Sequence, residues 1–159
     1  VVEGGESPEK WIHLFNTRSR DGGRSPMQWD SSENGGFSKV TPSPKTNGNY
    51  TKINVELQEK DEKSPLNFYR QLLKVRKTLK SVIYGTVTPF DNDSDATFCY
   101  RRDFEDETVV SINNFKDYAV QVKLPQGKFK VVLINYGDIT EIEDTVTLRP
   151  YEGITAVKI

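Results

Sequence analysis

One change of rhythm constrains this chain more than any other feature. Leu66, Tyr69, Leu72, Leu73 and Arg76 recur at spacings of three and four, as do Phe68, Leu72, Val75 and Leu79, which is the period of a helix with a wide apolar face. Ser64-Pro65 opens it with a hydroxyl cap and a proline at the first helical position. Lys74, Lys77 and Lys80 load its last turns with positive charge, favourable at that end. After Lys80 the period becomes two. Runs near 82–90, 96–102, 108–113, 118–124, 129–135, 145–148 and 154–159 read as strands separated by polar turns such as Asp103-Phe104-Glu105-Asp106-Glu107 and Pro125-Gln126-Gly127. Val120, Val122 and Leu124 alternate with Gln121 and Lys123, so one face is wet, whereas Val131–Ile134 is continuously apolar as in a central strand. The spacing predicts an antiparallel β-sandwich of seven short strands.

The first 60 residues have no comparable period and hold seven of the eleven glycines. So long a stretch without regular elements suits loops laid over a scaffold better than a free-standing domain. Trp11 to Phe15 reads as a short apolar contact, and His13 as a surface or packing residue. One histidine and one cysteine give no nitrogen–sulfur metal site. Cys99 lies in a strand run and is expected in the core.

Composition narrows the classes further. The net charge of −1, from 22 basic and 23 acidic residues, implies no nucleic-acid or anionic-membrane partner. No apolar run approaches the length of a membrane span. The opening Val1–Glu6 is not a signal peptide and lacks an initiating Met, which points to a processed or truncated start. Two sequons, Asn49-Tyr50-Thr51 and Asn92-Asp93-Ser94, are candidate glycosylation sites. They favour an extracellular protein if the source is eukaryotic; a bacterial source would place it in the cytoplasm.

The chemistry-bearing stretch is Arg18 to Asp30. Three arginines and Asp21 surround Gly22-Gly23, and Pro26 stiffens the chain ahead of Trp29. As a bare composition this is a solvated basic turn. Arg20-Asp21-Gly22-Gly23-Arg24-Ser25-Pro26-Met27-Gln28-Trp29-Asp30 with Asn34-Gly35-Gly36-Phe37-Ser38, however, resembles the "RDxxRTPMQWD…NAGFS" signature of α-glucosidases. These are the maltase and oligo-1,6-glucosidase-like members of the α-amylase superfamily, glycoside hydrolase family 13. Asn49–Val55 is similar to their "NPNYxxINV" segment, Phe68–Lys77 to their "YKKLIxLRK" helix, and Leu148-Arg149-Pro150-Tyr151-Glu152 to their closing "LRPYEA". Ser25 and Gly35 depart from the usual threonine and alanine, and Thr41–Gly48 replaces the usual "EPWIPVNP".

The resemblance implies a mainly β chain. Residues 1–80 would be the C-terminal end of a (β/α)8 catalytic domain, with an active-site loop and the final helix, and the rest of that barrel is absent here. Residues 81–159 would be the all-β C-terminal domain. Retaining glycoside hydrolysis needs two carboxyl groups about 5 Å apart. Asp91, Asp93, Asp95, Asp103, Glu105, Asp106 and Glu107 are accounted for by turns, and the family's catalytic carboxylates lie upstream, so none is assigned and this chain by itself is expected to be inactive. The resemblance makes Arg24 the best candidate for the arginine that pairs with a carboxylate at the floor of the glucose pocket, which closes the pocket and makes cleavage exo. Arg20 and Asp21 are second choices, with a loop-shaping ion pair as their other reading. Trp29 and Phe37 read as packing residues under the loop. The implied substrates are maltose, sucrose or short oligosaccharides, and the implied partner is the absent barrel portion. No cofactor is implied for this chain, any calcium of the family belonging to the absent part. Two other readings stand beside this one. A non-catalytic heavy chain of an amino-acid transporter would have no need of the intact Arg20-Asp21…Arg24. A carbohydrate-binding module would want exposed aromatics, yet residues 81–159 contain no Trp.

Overall fold

The computed structural model describes residues 7–18, 23–93 and 95–159. The chain divides into two compact units, Val1–Glu62 and Lys63–Ile159, each described by itself. The first contains helix α1 (Pro8–Arg18), two 3-10 turns (Glu33–Gly36 and Gly48–Thr51) and helix α2 (Val55–Lys60). Helix α1 corrects the expectation of a short apolar contact at Trp11–Phe15. It opens like the helix at Ser64-Pro65, with the Ser7 hydroxyl accepting from the Lys10 N–H at 3.4 Å, and it leaves His13 exposed.

The second unit begins with α3 (Pro65–Thr78). Its Ser64 hydroxyl accepts from the Asn67 N–H at 3.2 Å, as the cap signature required. A short helix α4 (Lys80–Tyr84) follows, where the Val82-Ile83-Tyr84 run reads as strand. Its ends are held from the neighbouring hairpin. The Glu107 carboxylate accepts from the Ser81 N–H, and Arg102 donates to the carbonyls of Ser81 and Gly85. A negative group at the first turn and a positive one at the last match the helix dipole, so tertiary contacts override the β propensity of the segment. Gly85 has no room for a side chain, because a Cβ there would lie 2.3 Å from the Ser81 carbonyl oxygen.

Six strands follow: β1 (Thr86–Pro89), β2 (Thr97–Phe104), β3 (Glu107–Asn114), β4 (Val120–Ile134), β5 (Glu141–Leu148) and β6 (Gly153–Lys158). All pairings are antiparallel, in the order β1-β2-β3-β6-β4-β5. Six strands replace the seven expected, since 118–124 and 129–135 are halves of one bent strand. Asp103 and Glu107 belong to strands, and the turn between β2 and β3 shrinks to Glu105-Asp106, with Glu105 at φ 52°.

The bend in β4 makes the core. Its register against β5 shifts between Lys123 and Lys128, and only the downstream half pairs with β6. The upstream half and its β5 partner form a ribbon, and Val122, Leu124, Val146 and Leu148 from that ribbon pack with Cys99, Val110, Ile112, Ile154 and Ala156. Phe129 and Ile142 fill the bend. The sheet thus folds over itself to bury one face on another, which is the two-layer solution alternation demands. The backbone N–H of Lys123 donates to Asp91 Oδ2 at 2.7 Å, tying the ribbon back to the loop after β1. Cys99 is wholly buried, as expected.

No residue of α3 is buried, and Tyr69, Leu72 and Leu73 are 58%, 37% and 36% exposed. An amphipathic helix left this open attracts apolar partners. The 159-residue chain by itself is therefore expected to bind a hydrophobic dye or to self-associate, and a monomer in sedimentation with no dye fluorescence would contradict that. Among the described residues no helix is long and apolar enough to cross a membrane.

Candidate functional site

The loop carrying Arg24 is built by backbone geometry before any side chain reaches out. Asn34, Gly35 and Gly36 stand in succession at φ 55°, 66° and 68°, three left-handed residues that turn the chain back on itself. The turn presents the Gly35 carbonyl to the N–H groups of Trp29, at 2.7 Å, and Asp30, at 3.2 Å. Gly36 lies so close to Asp30 that a Cβ would fall 2.5 Å from Oδ2. Asp30 Oδ1 accepts from the hydroxyl and the N–H of Ser32. Those two hydrogen bonds, the hydroxyl first, hold the Asp30 carboxyl below its ordinary value of 3.8.

The other side of the loop is tied to α2. The carbonyls of Gln28 and Trp29 accept from the N–H groups of Val55 and Glu56 at 2.9 and 3.0 Å, satisfying donors that a helix start otherwise leaves open. Asn54, 2% exposed, caps the same helix through Leu57 and donates to the Tyr50 carbonyl and the Ser31 hydroxyl. The Gln28 side-chain amide donates to Asn49 Oδ1 at 3.0 Å and to the Ile53 carbonyl at 2.5 Å. Arg24 lies at the head of this framework, exposed, two residues before the buried Pro26.

Arg20 and Asp21 lie outside the described residues. Trp29 and Phe37 are each 50% exposed, so the structure does not bury them under the loop as expected. The sequon asparagines are both used locally. Asn49 accepts from Gln28, and the Asn92 amide pairs with both the N–H and the carbonyl of Cys99, as a strand neighbour would. The residues sequence reasoning missed are Gln28, Asn54 and the Asp30–Gly36 contact. Asn54 ahead of Val55-Glu56-Leu57 is a readable helix cap, whereas the contacts of Gln28 across 21 and 25 residues leave no local signal.

Four of the acidic residues read as turn residues have structural tasks: Asp91 accepts from Lys123, Asp95 pairs with Lys116, Asp103 with Arg101, and Glu107 caps α4. Among the described residues no group of three or more His, Cys, Asp or Glu converges on a metal position. A cleft of about 600 Å³ opens between α3 and the sheet, lined by Phe68, Leu72, Phe98, Phe115 and Tyr151. Its buried carboxylate, Glu152, is taken up by Arg149. The Arg24 loop suits recognition of a carboxylate or of hydroxyls, and the carboxylates named above are engaged in structural contacts.

Residues 2–85 match the family described as alpha amylase, catalytic domain, and residues 88–154 the maltogenic amylase C-terminal domain. The chain is 35% identical to the oligo-1,6-glucosidase of Parageobacillus thermoglucosidasius over 158 residues, covering 96% of this chain and 28% of that protein. It is 33% identical to an alpha-glucosidase of Schizosaccharomyces pombe, over 94% of this chain and 27% of the relative. The crystal structure of a trehalose-6-phosphate hydrolase from Bacillus licheniformis superposes with a TM-score of 0.88 at 30% identity, over 98% of this chain and 29% of that one. The chain thus spans little more than a quarter of the length of these relatives. With more than half its residues inside the catalytic-domain match and most of the remainder inside the C-terminal one, the chain belongs to the alpha-amylase family of glycoside hydrolases.

Proposed function

We propose that this sequence is the C-terminal part of a retaining, exo-acting α-glucosidase that releases terminal α-linked glucose from maltose, sucrose or short oligosaccharides. Residues 1–80 complete its barrel with a pocket loop and a final helix, and residues 81–159 form its accessory β-domain. Arg24 contributes to the glucose pocket, and the catalytic carboxylates come from upstream. The observation that carries this reading is the loop itself: an exposed arginine on a tract fixed by Pro26, Gly35 and the start of α2. A planar donor fork so held is preorganised for a carboxylate or vicinal hydroxyls. Arg20 and Asp21, earlier in the same motif, are the second candidates for substrate binding, with a loop-shaping ion pair as their other role.

The test is hydrolysis by the full-length protein of maltose, isomaltose, sucrose and trehalose 6-phosphate, with the anomer of the released glucose followed by NMR. Glucose released first as the α-anomer from any of the three unphosphorylated sugars supports the reading. Activity confined to trehalose 6-phosphate moves the substrate to the phosphorylated disaccharide named for some relatives. No hydrolysis of any of them refutes an α-glucosidase.

A further inference from the structure

We propose that Gln28 is a positioning residue for Arg24, its side-chain amide fixing the base of the short arm on which the arginine is carried. This rests on the reading of Arg24 as a sugar-binding arginine. Four residue steps separate the two, so the arm spans at most about 14 Å, and the buried Pro26 in the middle removes one of its soft dihedrals. Residue 28 is thus the anchored base from which the arm to Arg24 starts.

Gln28 is tied down far beyond what burial asks of it. Its Nε2 donates to Asn49 in the second 3-10 turn and to the Ile53 carbonyl, while its own carbonyl accepts from Val55 in α2. From the opposite side Gly35 closes in, a Cβ there lying 3.4 Å from the Gln28 Cα. Gln28 itself is only half-buried and belongs to no apolar core. Hydrogen bonds to three partners at one surface residue define a location; they do not hold a core together. A location matters here because a donor fork shifted by about 1 Å no longer meets its acceptors within hydrogen-bond distance, and misplacement of that size is worth up to about 10²-fold.

The test is a double-mutant cycle in the full-length protein, read as KM and kcat for p-nitrophenyl α-glucoside. Gln28→Met keeps the side-chain volume and removes the amide donor. In the parent protein it is expected to raise KM about tenfold with kcat changed less than about threefold. In an Arg24→Lys background, where the fork is already gone, it is expected to raise KM less than about twofold. An equal tenfold cost in both backgrounds overturns the positioning role and leaves the reading of Arg24 standing. An Arg24→Lys change that leaves KM and kcat untouched removes that reading and the proposal together. If Gln28→Met does not fold, Asn49→Ala, which removes one acceptor and keeps the Ile53 contact, enters the same cycle with a smaller expected effect and the same criterion.

Discussion

Replacing Arg24 with alanine in the full-length protein is expected to lower kcat/KM for p-nitrophenyl α-glucoside by about 10²- to 10³-fold, with the thermal unfolding midpoint unmoved. The size follows from what the change removes. On the proposed role, a pocket carboxylate and the glucose hydroxyls lose the two parallel hydrogen bonds of the fork at once, and the sugar is no longer held at the reacting centre. Arg24→Lys restores the charge without the fork and should recover only part of the loss, because a point charge cannot make two parallel hydrogen bonds. The midpoint is expected to hold because Arg24 is exposed, two residues before the buried Pro26 that seats the loop. Equal activity in alanine, lysine and parent proteins would return Arg24 to the solvated turn that its composition alone suggests. A large fall in the midpoint would assign it to folding.

What the sequence disclosed and what it hid divide along a physical line. Features with a local cause were legible: the Ser64-Pro65 cap, the alternation that buries Val122 and exposes Lys123, and the single cysteine in a strand. Features with a distant cause were not. Pro125-Gln126-Gly127 reads as a turn, yet it lies inside β4. The strand bends there, and the register against β5 is interrupted between Lys123 and Lys128, so Pro125 has no ladder bond to lose. Gly127, at φ 131° and within 2.6 Å of Lys158 if it carried a Cβ, lets the bent strand pass beside β6. Helix α4 is decided by Glu107 and Arg102, which are more than 15 residues away in the chain. Helix α1 is different, since its Ser7-Pro8 opening repeats the signature read correctly at Ser64-Pro65. That opening is legible in the sequence, although the residues after it show little helical periodicity. In the candidate site, Arg24 stands out through its motif, whereas the Gln28 clamp depends on partners brought together by folding.

The second large effect concerns the other end of the chain. Glu152 is wholly buried and accepts from the Arg149 N–H at 2.7 Å and from the Arg149 guanidinium, which also forks onto Asp138 and lies 4.0 Å from the Tyr136 ring centroid. Two carboxylates on one guanidinium raise the Arg149 pKa, the Asp138 hydrogen bond contributing most and Glu152 next. Reciprocally, the hydrogen bond from Arg149 holds Asp138 below 3.8. Because that value is depressed in the folded protein, the contribution of Asp138 is complete above about pH 4 and fades as acid carries the pH through the lowered value. Arg149→Met leaves the Glu152 carboxyl buried and without its guanidinium, and should lower the unfolding midpoint at pH 7 by about 10 °C. The double replacement Arg149→Met with Glu152→Leu removes the stranded carboxyl along with its partner, and is expected to recover about half of that loss even though it deletes more hydrogen bonds. Thermal unfolding of the two variants beside the parent decides the matter. A double variant no more stable than Arg149→Met would mean that the turn is held by the sum of its contacts, with the buried carboxyl contributing nothing special to the damage.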